Sequence, residues 1–139
     1  MKIIIKNFQK KVPICPTRIK KAILKVFSQE ALKKTGEITI CFVNDKKIKE
    51  LNLKYLRKGR ATDVLVFDIT EPQDSKRMFA DIVISVDTAI RNAKIFKTTP
   101  LYEIKLYLIH GALHLLGYDD HGLKQRQLMR KKEKTYVNT

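Results

Sequence analysis

The chain has 139 residues, 44% of them hydrophobic, and its 29 lysines and arginines against 14 acidic residues give a net charge of +15. That length suits one domain with a core of its own, residues 1–139. No apolar run reaches the roughly eighteen residues a membrane helix needs, so no membrane association is expected, and the charge favours a polyanionic partner, nucleic acid or the ribosome before acidic lipid. In chain order, residues 2–8, KIIIKNF, read as a strand. The lysine-broken start lacks a small-residue cleavage site, so it is not read as a signal peptide and a cytoplasmic location is expected. Cys15 and Cys41 do not form a CxxC pair and are expected to be reduced and structural. After Pro13 and Pro16, Thr17 is expected to cap a helix running to about Lys34, with the stripe Ile19, Ala22, Ile23, Val26 and Phe27. Gly36 is expected to end that unit.

Residues 37–43, EITICFV, read as a second strand. Asn44 then caps a short helix, DKKIKELNLKYL, expected to turn Ile48, Leu51 and Leu56 inward. A basic loop, RKGRAT, spans residues 57–62. The β-branched run DVLVFDI, 63–69, reads as a central strand, the polar stretch EPQDSKR as a connection, and ADIVISV, 80–86, as a further strand. Asp87 opens a helix to about Phe96 with Ala89, Ile90, Ala93 and Phe96 as its stripe. A helix follows Pro100 and stops at Gly117, apolar around most of its girth. Residues 123–135 form a last basic helix with Leu128 and Met129 inward. The order β-α-β-α-β-β-α-α-α predicts an α+β single domain, a mixed β-sheet packed with helices. The helix after Pro100 would lie against that sheet.

That helix carries His110 and His114, four residues apart and hence stacked on one face one turn apart. A lone histidine on an apolar helix is usually a satisfied core residue. Here all three histidines fall between residues 110 and 121, two at ligand spacing and one on the loop beyond. Two imidazoles from a rigid helix and a third ligand from the returning loop, Asp120 or His121, make an open metal site with a fourth position for water. Zinc proteases of the HExxH type place a general base beside the first histidine. Here that position is Gly111, so a peptidase would lack its proton acceptor, and the site would rely on another base or on the metal alone to bring the pKa of bound water to about 7. The glycine also lets something approach the helix closely.

The segment HGALHLLGYDD resembles the signature HGxLHLxGYDH of the YbeY family, bacterial ribosomal RNA maturation factors. LNLKYLRKGRATDVLVF resembles the family's LNxxYRxxDxPTDVLSF, and ADIVISVDTAIRNA its GDIVIS…A block, in the same order and spacing. The resemblance implies a metal-dependent, single-strand-specific endoribonuclease with one Zn2+ per chain. It would act in 3′-end processing of 16S ribosomal RNA and in ribosome maturation and quality control. Its partners would be single-stranded ribosomal RNA and the ribosome or its small subunit. Basic side chains would position the RNA backbone.

Three departures from the pattern matter. The family's third histidine falls on Asp120, with His121 one residue later, while Met129 and Glu133 stay in register. That register favours Asp120 as third ligand and leaves His121 as the alternative; a carboxylate beside two histidines is an established zinc set that also suits iron or manganese. The family's arginine after the tyrosine falls on Leu56, so Arg57, Lys58 or Arg60 is expected to supply the phosphate contact. The family's aspartate and serine in this block fall on Gly59 and Val66. Thr62 and Asp63 match, and Asp63 is a candidate either for orienting a ligand histidine or for capping the strand. Tyr118 is expected to pack and Asp119 to hold the loop. The competing reading is a non-catalytic RNA-binding ribosome-assembly factor with a structural metal, which would hold the ion with four protein ligands.

Overall fold

Parallel strands need crossover connections, usually helical, and here helices supply them. In the computed structural model, which describes residues 1–139, β1 (Lys2–Asn7) is followed by α1 (Pro16–Gln29), β2 (Thr35–Val43) and α2 (Asp45–Leu56). Then come β3 (Val64–Asp68), β4 (Arg77–Ser85), α3 (Val86–Phe96), α4 (Pro100–Leu115) and α5 (Leu123–Val137). The order is the one read from the sequence. The sheet runs β1-β2-β4-β3. β1 and β4 flank β2 in parallel, and β3, expected to be central, is instead an antiparallel edge strand paired only with β4, with Val66 opposite Ile82. It is apolar because both its faces are covered, Val66 by α4 and Leu65 by the α2 side.

The two faces are unequal. Ile38, Ile40 and Phe42 of β2 and Met78, Ala80, Ile82 and Ile84 of β4 alternate onto one face, where they share the main core with Ile23, Val26 and Phe27 of α1 and Ile104, Leu108, Ala112 and Leu113 of α4. On the opposite face Val43, Leu65 and Val83 meet Ile48 of α2 in a small second cluster. No helix is long and apolar enough to cross a membrane.

Several boundaries differ from the expectation for local reasons. Cys15, not Thr17, holds the N-cap position of α1, because Pro16 takes the first turn, where its missing N–H costs nothing. The helix stops at Gln29, and Ala31 turns left-handed with φ 58°. Gly36 does not end that unit. It lies inside β2 with φ +123°, and a Cβ there would sit 2.0 Å from the Met78 carbonyl oxygen. β4 begins at Arg77 because Asp74 accepts from the amides of Lys76 and Arg77 and folds the polar stretch into a turn. Leu56, Phe96 and Leu128, expected inward, are exposed, as is Leu101 at the start of the apolar helix α4. Each sits at the margin of its stripe: α3 buries Ala89 and Ala93 instead, and α5 turns Met129 in. Cys15 is also exposed, and both cysteines are free thiols.

Candidate metal centre

α4 is set by its two ends. Thr99 Oγ1 accepts from the Tyr102 amide at 3.1 Å, with Pro100 in the first turn. At the far end Gly117 adopts φ +97°, its amide reaching the His114 carbonyl at 3.0 Å and that of Tyr118 the Leu113 carbonyl at 3.1 Å. Between them the buried row Ile104, Leu108, Gly111 faces the sheet. A Cβ on Gly111 would lie 3.1 Å from Ile82 Cγ2 and 3.3 Å from Val66 Cγ2, so what approaches the helix at the glycine is the β3–β4 hairpin.

His110 precedes that contact by about 100° of helical turn and is partly exposed, as is His114. The two rings lie 4.7 Å apart between centroids at 71°. The loop after Gly117 is anchored: Tyr118 donates its hydroxyl to Glu30 Oε1 at 2.5 Å, and Asp119 Oδ1 accepts the His121 amide at 3.0 Å. The loop thereby brings Asp120 back to the helix. His110, His114 and Asp120 each offer one ligand atom, and these atoms lie within 4.8 Å of one another. His121 is exposed and lies outside that group.

A neutral histidine ligates through one ring nitrogen when the other donates a hydrogen bond. His110 Nδ1 lies 2.6 Å from the Glu133 carboxylate of α5, which leaves Nε2 for a metal. Burial opposes charge on His110, but the Glu133 hydrogen bond and the carboxylates of Glu133, Asp63 and Asp120 outweigh it and raise its pKa. Burial and the neighbouring His110 lower that of His114. Two imidazoles, one of them oriented, and a carboxylate fit a divalent cation of the zinc type, with the coordination sphere left open.

Asp63 does not hold the histidine. It accepts the Val64 amide at 2.8 Å and the Thr62 hydroxyl at 3.3 Å, capping the start of β3, and acts on His110 only through its charge. Glu133 takes the orienting place, and sequence reasoning passed over it except as a check on register. The signals available were its match to the family's downstream glutamate and its place on a basic helix one turn beyond the inward Met129.

The basic loop leaves α2 at Leu56. Arg57 turns left-handed with φ 56°, and the amides of Arg57 and Lys58 close on the Leu53 and Asn52 carbonyls at 3.1 and 3.2 Å. Asn52, only 2% exposed, donates Nδ2 to the Arg60 carbonyl at 2.9 Å. Asn52 thus pins both limbs of the loop, another role the sequence reading missed. Arg57, Lys58 and Arg60 are exposed and none is in an ion pair.

The profile of the family described as Endoribonuclease YbeY matches residues 4–139. An Endoribonuclease YbeY of Parabacteroides distasonis is 38% identical over 85% of this chain and 83% of its own length. One of Syntrophus aciditrophicus is 36% identical over 96% of this chain and 86% of its own. The solution structure of a Thermotoga maritima protein superposes with a TM-score of 0.68 at 28% identity, covering 98% of this chain and 87% of that one.

Proposed function

The chain belongs to the Endoribonuclease YbeY family, and on that premise we propose that it is a metal-dependent endoribonuclease specific for single strands. Its substrate in this reading is ribosomal RNA, at the 3′ end of the 16S molecule, with the small ribosomal subunit as partner and the cytoplasm as its place of action. The observation that carries the metal dependence is the convergence of His110, His114 and Asp120. Zinc is the expected ion, one per chain. When bound there it supplies a Lewis acid that activates water and neutralises charge on a phosphodiester.

The rest falls to the protein's own groups. Glu133 holds the proton of His110 at Nδ1 and fixes the ring. Gly111 lets α4 pack closely against the hairpin, and both imidazoles project from that helix. Arg57, Lys58 and Arg60, none of them in an internal ion pair, contact the RNA backbone and help hold the strand. The set of three ligands supports an open catalytic site over the closed four-ligand site of a structural metal. A peptidase has no support at position 111, whose Cβ direction points into the sheet.

The test measures zinc content and cleavage of single-stranded RNA for the wild type, His114→Ala, Asp120→Ala and His121→Ala. About one zinc per chain is expected in the wild type and in His121→Ala. Zinc and cleavage are expected to disappear together in the other two. Cleavage that persists unchanged in His114→Ala, or normal zinc binding without any cleavage, overturns the reading.

A further inference from the structure

The last turn of α2 exposes an aromatic side chain that the metal centre does not explain. Tyr55 is 56% exposed and meets Phe67 of β3 edge-on, with ring centroids 5.5 Å apart at 65°. Lys54 Nζ lies 5.2 Å from the centre of the Tyr55 ring. Leu53 and Leu56 on either side are exposed too. The stretch from Leu51 to Thr62 contains no acidic residue and four cations, Lys54, Arg57, Lys58 and Arg60, none in an ion pair. A tyrosine kept only for packing would turn its face to the core. This one meets Phe67 at a steep angle and stays more than half exposed, among cations.

From this juxtaposition we propose that Tyr55 is a stacking platform for one unpaired base of a single-stranded RNA whose phosphates run over Arg57, Lys58 and Arg60. The inference rests on the RNA reading above and adds a residue that positions the strand. Aromatic faces stack on any base, and a cationic track beside them holds the backbone. Base-paired RNA offers no free base face, so such a platform selects single strands by shape.

Its placement relative to the metal centre follows from β3. Successive residues of a strand point to opposite faces. Val66 lies against Gly111 of the metal-bearing helix, and the next residue, Phe67, lies against Tyr55 on the other face. β3 is the sheet edge. A strand of RNA held at both the metal centre and Tyr55 would bend round this edge. The loop between α2 and β3, which carries Arg57, Lys58 and Arg60, leads from the Tyr55 helix into this edge strand.

The experiment measures binding of a fluorescein-labelled oligouridine to the full-length, metal-free protein by anisotropy, beside a labelled RNA duplex. Tyr55→Leu is expected to weaken oligouridine binding at least about fivefold and to leave duplex binding unchanged. Tyr55→Phe and Tyr55→Trp, which keep a ring face, are expected to bind the oligouridine as the wild type does or more tightly. Should Tyr55→Leu fail to fold, Phe and Trp are compared with Tyr55→Ser. Wild-type affinity in the Leu or Ser variant, equal losses in Phe and Leu, or no oligouridine binding by the wild type overturns the platform. Because no metal is present, the outcome is separate from that of the nuclease reading. Loss of binding in Tyr55→Leu in a protein that never cleaves RNA supports the platform and refutes the enzyme; cleavage that needs His114 but not Tyr55 does the reverse.

Discussion

The Glu133 carboxylate lies 2.6 Å from His110 Nδ1 and joins α5 to the helix that carries the candidate ligands. Carboxylates in this position set the tautomer and raise the basicity of a metal-bound histidine, and their loss typically weakens metal binding about 10- to 100-fold. Glu133→Ala is therefore expected to lower zinc affinity by that factor in competition with a chromophoric chelator, and Glu133→Gln by less, since its amide oxygen still accepts. Unchanged affinity in Glu133→Ala would show that the contact serves only to dock α5.

Gly111 tests the seat of the same helix. A methyl here must displace Ile82 and Val66, whose β-branched side chains have little rotamer freedom. Gly111→Ala gains up to about 1 kcal/mol of helix propensity against this strain and is expected to fold close to normally. Gly111→Val is expected to destabilise by about 1–3 kcal/mol through overpacking, read as a lower midpoint in urea with an unchanged slope. A Val variant as stable as the wild type would mean that the hairpin yields to the helix.

Asn52 offers a change that separates stability from loop order. Its Nδ2 holds the Arg60 carbonyl, while its buried Oδ1 has no hydrogen-bond partner. Asn52→Leu loses a hydrogen bond of about 1 kcal/mol and removes an unpaired acceptor that costs about as much. The melting temperature is expected to stay within a few degrees, about 1 kcal/mol or less. Amide exchange over residues 57–62 is expected to quicken, and single-stranded RNA binding to weaken. Slow exchange in this variant would show that the loop is held by something other than Asn52.

Glu30 makes a pH-dependent clasp. Burial raises its pKa, but hydrogen bonds from Tyr118, Tyr136 and Lys132 lower it by more, leaving it below its ordinary value of 4.5. The folded carboxyl therefore binds its proton less readily than the unfolded one. Its contribution to stability is complete above 4.5 and fades as the pH falls through the folded value. The gap in melting temperature between the wild type and Glu30→Gln is expected to be widest near about pH 6 and to narrow below 4.5. A gap constant down to about pH 3 would refute the clasp.

The sequence by itself determined the order of the nine elements, the mixed sheet, the placing of both histidines on one helix face and the exposed basic loop. Those features are written in short-range periodicity and in residues such as Asn44 and Pro100 that cap or start helices through contacts a few positions away. Tertiary structure decided what depends on distant partners. Asp120 and His121 are adjacent on one loop, and only the anchoring of that loop on α1, through Tyr118 and Glu30, brings Asp120 to the imidazoles and leaves His121 outside. Glu133 reaches His110 from another helix, and Tyr55 meets Phe67 across the turn from helix to strand. No local period encodes such pairs, because each depends on how whole elements dock. For the same reason Leu56 and Phe96 could be placed on a stripe but not at its exposed margin.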